Sequence, residues 1–169
     1  MADSFQDRFT WQQQYIPAVV QTVAPFLIHV STPAVDRQEA GDLMLSFPRN
    51  GTIAVRLRTP EAAKFAGDIT LRSRTRNNMP SEVTKIVEGK ADFYFYGHVN
   101  EQEEIWHWYF LDCNKMRAEF IRRPDILRKA FGRQIQNPDG TQFIAINVER
   151  DLKRAVIHHE NALLSKRAA

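Results

Sequence analysis

Three carboxylates close together ahead of a strand, Asp36, Glu39 and Asp42, have the type and spacing to hold a divalent cation. Mg²⁺ takes carboxylate oxygens and keeps several of its waters, so a cluster of acids at a strand start suits it. The same three residues also suit a polar cap on a surface loop, and spacing leaves both readings open. Downstream, Arg56 and Arg58 alternate with Ile53, Val55 and Leu57. On a strand the two arginines therefore project from one face. A pair of arginines on one face meets either phosphates or carboxylates, since guanidinium pairs in bidentate fashion with both. Asp68, Thr70 and Arg72 share a face of the next apolar stretch, and Asp68 faces with Arg56 and Arg58 if the two strands pair in register. Glu82 and Lys85 lie one turn apart on a short helix.

The elements that must position these residues run from 41 to 97. Residues 43–47 form a strand, and Pro48-Arg49-Asn50-Gly51 turns it back as a hairpin into 52–58, because Asn-Gly is a strong hairpin signal. A helical turn from Pro60 leads into the strand DITLRSR. Ser81 caps the short helix EVTKIV, and Gly89 closes it. In ADFYFYGHV, Phe93 and Phe95 alternate with Tyr94 and Tyr96, and EIWHWYFLDC is its antiparallel partner across NEQEE. Upstream, Thr10 caps a helix whose stripe is Trp11, Tyr15, Val19, Val23 and Leu27. Pro17 kinks that helix or marks an early start, and the helix ends near Pro25. Downstream, two basic helices meet at Pro124 and carry Arg117, Arg122, Arg123, Arg128, Lys129 and Arg133. A turn at Pro138-Asp139-Gly140 precedes a short strand. The pattern DLKRAVIHHENALL predicts a final helix, with His158 and His159 on different faces, too close in sequence for the i, i+4 pair of a helical metal site.

At 169 residues with 43% hydrophobic content, the chain is long enough for one domain, 1–169, with a core over 10–112 and a helical extension over 113–169. The fold class expected is α/β (α+β), a central mixed β-sheet flanked by helices. Net charge is only +3, but Arg and Lys crowd 49–90 and 115–133 while 92–112 is acidic and aromatic. A local basic face favours a polyanion partner. The single cysteine, Cys113, excludes an intramolecular disulfide and a Cys-rich zinc site, and reads as a small buried residue. The start of the chain has no basic and apolar leader, and no apolar run reaches a membrane span, so the expected location is the cytoplasm. Walker, dinucleotide-binding and nucleophile-elbow motifs are absent.

The order helix, three strands, helix, strand resembles the core of the PD-(D/E)XK nuclease-like superfamily. The resemblance implies an α-β-β-β-α-β core and Mg²⁺-dependent hydrolysis of phosphodiester bonds in DNA. Asp42 matches that family's first acid by position. The family's next strand carries acid-x-Lys, where this chain has Arg56-Leu57-Arg58. The resemblance then moves the second acid to Asp68 or Glu82 and the lysine to Lys85. Asp42, Asp68 and Glu82 become the implied metal ligands, with Lys85 beside the attacking water. Arg56, Arg58, Arg72 and Arg74 become the implied grip on flanking phosphates.

The segments DLMLSF, IAVRLR, DITLRS, SEVTKI and ADFYFYG also resemble an uncharacterised group of bacteriophage and prophage proteins, which implies a host cytoplasm as the setting. Three functions follow as expectations. One is a Mg²⁺-dependent DNA endonuclease. Another is a catalytically inactive nuclease-like domain that binds nucleic acid, with Arg56 and Arg58 neutralised by Asp42, Asp68 and Glu82. The third is an accessory protein that binds a host protein, for which an exposed 92–112 would serve.

Overall fold

The computed structural model describes residues 5–30, 43–45, 51–76 and 79–161. Asp36, Glu39 and Asp42 lie outside them. The chain divides into two compact units, Met1–Gly51 and Thr52–Ala169. The class is α+β, with a mixed four-stranded sheet at its centre. No helix among the described residues is long and apolar enough to cross a membrane.

In the first unit, α1 (Phe5–Gln13) and α2 (Ile16–Leu27) are separated by a turn at Gln14 and Tyr15. Pro17 falls in the first turn of α2, where its missing N–H has no partner to lose. The expected stripe is there, with Val19, Val23 and Leu27 buried. Thr10 is inside α1 rather than capping a helix, because that helix already begins at Phe5. Strand β1 (Ile28–Val30) pairs antiparallel with β2 (Leu43–Leu45), in the register Ile28↔Leu45.

The second unit holds a four-stranded sheet in the order β3-β5-β6-β9, made of β3 (Ile53–Arg58), β5 (Phe93–Val99), β6 (Ile105–Asp112) and β9 (Val156–Asn161). A three-stranded antiparallel sheet follows the order β4-β8-β7, made of β4 (Asp68–Arg74), β8 (Gln142–Asn147) and β7 (Ile135–Gln136). Helices α3 (Glu82–Val87), α4 (Cys113–Arg122) and α5 (Asp125–Gly132) complete the unit. Ile69, Leu71, Tyr94, Tyr96, Leu111, Met116, Phe120, Ile144 and Ile146 form its core. Ser81 Oγ accepts from Thr84 N at 3.1 Å, and Gly89 has φ +74°, as the cap and stop signals predict.

Strand pairing departs from the sequence reading. Residues 46–50 of the expected hairpin lie outside the described residues; β3 pairs in parallel with β5, and β2 pairs with β1. β3 does not pair with β4, whose partner is β8. A turn signal acts locally, whereas the edge a strand joins depends on which apolar surface it can share. β5 offers β3 the row Phe93, Phe95 and Gly97 opposite Ile53, Val55 and Leu57. The predicted final helix does not form in its described part. Val148–Leu152 forms a π-helical turn, Lys153–Ala155 a 3₁₀ turn, and Val156–Asn161 is β9, added to the edge of β6; residues 162–164 lie outside the described residues. There His158 stacks near Trp108 and His159 on Tyr109, so the two rings do take opposite faces. Cross-strand aromatic contact outweighs the weak helical preference of this segment.

Candidate functional site

The Glu82 carboxylate joins the edges of the two sheets. Its Oε1 accepts from Arg56 Nη1 on β3 at 2.6 Å, and its Oε2 accepts from the backbone N–H of Arg72 on β4 at 2.8 Å. The unpaired N–H of an edge strand is a liability when covered, and Glu82 satisfies it from outside the ladder. Ser81 sets this geometry by starting α3 one residue earlier. The ion pair is mostly enclosed, with Arg56 and Glu82 side chains 18% and 27% exposed. Burial is the largest influence and opposes the Arg56 charge, but the Glu82 carboxylate with Tyr94 and Tyr96 together outweigh it and hold the guanidinium ionised beyond the usual range. Beside this clamp, Thr70 Oγ1 and Tyr96 OH share a hydrogen bond of 2.9 Å that also links the two sheets.

Arg56, Arg58, Tyr94, Tyr96, His98, Tyr109 and His107 occupy one face of the four-stranded sheet, by the registers Arg56↔Tyr96↔Tyr109 and Arg58↔His98↔His107. Four side chains of this row carry buried nitrogen or oxygen atoms without a protein partner: Arg56 Nε, Tyr94 OH, both ring nitrogens of His98, and His107 Nδ1. Burial pushes the Tyr94 phenol well above its ordinary pKa, helped by Glu82. Burial, then the neighbouring His107 and Arg58, pulls His98 down to about 4. His107 is likewise lowered by burial, although its Nε2 lies 2.7 Å from the Ala66 carbonyl. With the carbonyl accepting, Nε2 carries the proton. Both imidazoles are therefore neutral near pH 7, and the charge in the row lies with Arg56 and Arg58.

The clamp fixes the direction of β4. Ala66, before β4, meets His107 at the Arg58 level of the sheet, while Arg72 meets Glu82 at the Arg56 level. β4 thus runs opposite to β3, and Arg74 and Arg76 emerge at the end of the unit where β3 begins. At that end the acids are engaged internally. Asp92 takes Thr52 N at 2.8 Å, Asp112 caps α4 through Asn114 N and Lys115 N, and Glu88 pairs with Lys90. Arg72, Arg74, Arg76 and Lys85 have no carboxylate partner among the described residues. Arg74, Arg76 and Lys85 are exposed. Gln134 donates to Ser73 Oγ, which brings the exposed and equally unpaired Arg133 to the same strand. The acidic turn Glu101, Glu103 and Glu104 follows β5, at the opposite end.

Of the residues singled out from sequence, the structure brings Arg56, Glu82 and the Arg72 backbone together. Asp68 is elsewhere, with Oδ1 accepting from Asn147 Nδ2 at 2.8 Å. Arg56 faces inward onto Glu82, so it positions the sheets and does not reach a ligand outside. Lys85 is exposed on α3, and Asp42 lies outside the described residues. Glu82 is paired with Arg56, no three His, Cys, Asp or Glu side chains among the described residues gather around one point, and the implied ligand Asp42 is not among those residues. The stretch 92–112 supplies the core, with Tyr94, Phe95, Tyr96, Trp108, Tyr109 and Phe110 buried. Burial pushes the Cys113 thiol up to about 12, as expected of an inert core residue.

No family model matches the chain, no curated protein matches it, and no solved structure matches its fold. The sequence reading missed Arg76 and Arg133 as members of one patch. Arg133 is distant in sequence, and only the Gln134–Ser73 contact brings it to β4. It also missed the His98–His107 pair, whose signal was the alternation of ADFYFYGHV opposite EIWHWYF.

Proposed function

We propose that this protein binds nucleic acid through the phosphate backbone, using the basic end of its second unit. The observation that carries this reading is the segregation of charge just described. At that end Asp92, Asp112 and Asp139 accept from neutral N–H and O–H groups and Glu88 pairs with Lys90, while Arg72, Arg74, Arg76, Lys85 and Arg133 have no ion-pair partner among the described residues. An unneutralised group of arginines attracts a polyanion, and backbone contacts of this kind carry no sequence preference by themselves. Arg58 stands at the other end of β3 and is peripheral to the patch. The resemblance to nuclease-like domains agrees with a nucleic-acid ligand, and the inward Arg56–Glu82 pair favours its binding form over its hydrolytic form. No hydrolytic step is derived from these donors.

The test is fluorescence anisotropy with labelled single-stranded and duplex DNA across about 50–200 mM salt. Binding should weaken steeply with salt. The triple variant Arg74→Ala, Arg76→Ala, Arg133→Ala should bind more weakly and with a shallower slope, by up to about 0.9 per lost contact on duplex. Unchanged binding in a folded triple variant sinks the reading. Plasmid incubated with Mg²⁺ or Mn²⁺ should stay intact; nicking that disappears in Asp42→Asn would reinstate hydrolysis instead.

A further inference from the structure

Phe143 on β8 stands opposite Arg72 on β4 and opposite Ile135 on β7, so the three side chains share one face across all three strands of the smaller sheet. Ile144 and Ile146, the residues of β8 that point the other way, belong to the core. The face that carries Phe143 is closed at one end, where Thr70 is buried and bonded to the Tyr96 hydroxyl. It opens toward β7, where Ile135 is 47% exposed and Phe143 is half-buried.

The aromatic rings of the four-stranded sheet are matched in pairs: Phe93 stacks on Phe110 with centroids 5.4 Å apart, and Phe95 on Trp108 at 5.5 Å. Phe143 has no ring against it among the described residues. Its neighbours are cations instead. Past Arg72 the ladder shifts by one residue, which sets Arg74 opposite Gln142, and Arg76 follows two residues on. Arg72, Arg74 and Arg76 have no ion-pair partner among the described residues. Asp139, the acid of the adjoining β7–β8 turn, accepts from Thr141 N and Oγ1. A half-open ring beside a line of arginines matches a ligand that carries flat rings and phosphates together. A duplex keeps the faces of its bases inside its own stack, whereas a single strand offers bases and phosphates at once.

We propose that this row is a stacking platform for single-stranded nucleic acid, with a base lying on Phe143, Ile135 flanking it at the sheet edge, and the adjoining phosphates held by Arg72, Arg74 and Arg76. The platform rests on the nucleic-acid reading above and specifies the strand form of its ligand. Phosphate contacts set the salt dependence of binding, and the stack adds affinity that is independent of counterion release.

The test is fluorescence anisotropy with three labelled ligands: oligothymidylate, an abasic strand of the same length, and a duplex. Wild type should bind oligothymidylate about fivefold or more tightly than the abasic strand, with the same salt slope. Phe143→Leu, which keeps an apolar side chain in place, should lose about that factor on oligothymidylate and nothing on the abasic strand or the duplex. Phe143→Tyr should restore it. Equal binding of oligothymidylate and the abasic strand by wild type overturns the platform without recourse to any variant, and leaves the phosphate reading standing. A folded Phe143→Leu protein that keeps wild-type affinity for oligothymidylate, or that loses equally on all three ligands, overturns it as well. Failure of wild type to bind any of the three removes the nucleic-acid reading and the platform with it.

Discussion

Removing the Glu82 carboxylate should separate a structural clamp from a metal ligand. In Glu82→Ala, the Arg56 guanidinium loses its counter-charge while its side chain stays only 18% exposed. Breaking a buried pair by removing one partner costs about 3–5 kcal/mol, and the partial exposure of both groups here points to the lower end. The same change leaves the Arg72 N–H without the acceptor it has at 2.8 Å, for a further loss of about 1–2 kcal/mol. The expected total is about 4 kcal/mol, which at roughly 3 °C per kcal/mol for a chain of this size lowers Tm by roughly 12 °C. Glu82→Gln keeps an acceptor for one of the two donors and should lose about half as much. Replacing both partners with apolar residues, Arg56→Met with Glu82→Leu, should recover part of the loss, because the stranded charge is then gone. The assay is urea denaturation of the four proteins, with metal chelated throughout. A carboxylate kept for a metal ion repels its neighbouring acids when the ion is absent, so its removal would stabilise. A Glu82→Ala protein as stable as wild type, or more stable, refutes the clamp.

The remaining predictions concern pH and packing. His98 is neutral in the fold down to about 4, whereas an unfolded histidine titrates near 6.5. Between those values the unfolded chain binds the extra proton, so stability that is fully present above about pH 6.5 falls by about 3 kcal/mol as pH drops to 4. Urea denaturation at stepped pH should show this slope in wild type and a flatter one in His98→Leu; equal slopes in both refute the assignment. Gly97 has no room for a side chain, since a Cβ there would lie 2.9 Å from Leu57 Cδ2, 3.1 Å from Phe95 Cε1 and 3.3 Å from Ile105 Cγ2. Gly97→Ala should therefore destabilise by about 1–3 kcal/mol, measured by the same denaturation, and a neutral result would mean that β3 and β6 yield easily.

Local signals were legible where local forces set the structure. The Ser81 cap, the Gly89 stop, the alternation of Phe93 and Phe95 with Tyr94 and Tyr96, and the stripe of Val19, Val23 and Leu27 all depend on neighbours within a few residues. Those elements came out where the periodicity put them, and the α+β class followed from their order. The failures came where a segment's partner is distant. The tail from Val156 was read as helix because its apolar spacing is compatible with one, but the open edge of β6 offered it hydrogen bonds and two aromatic contacts.

Sequence by itself determined that Arg56 and Arg58 share a strand face, that Glu82 opens a short helix, and that two arginines on one face need either phosphate or carboxylate. It could not choose between those partners. The choice was made by the tertiary packing of α3 with the two sheets, in which one carboxylate reaches a guanidinium on β3 and a backbone N–H on β4. Hydrogen bonds of this kind require positions fixed to a few tenths of an ångström, and only the packed core supplies them. The same packing engages Asp92, Asp112 and Glu88 in local contacts and leaves Arg72, Arg74, Arg76 and Arg133 without an ion-pair partner among the described residues. The basic patch is thus a property of the tertiary structure, in a chain whose net charge of +3 scarcely hints at it.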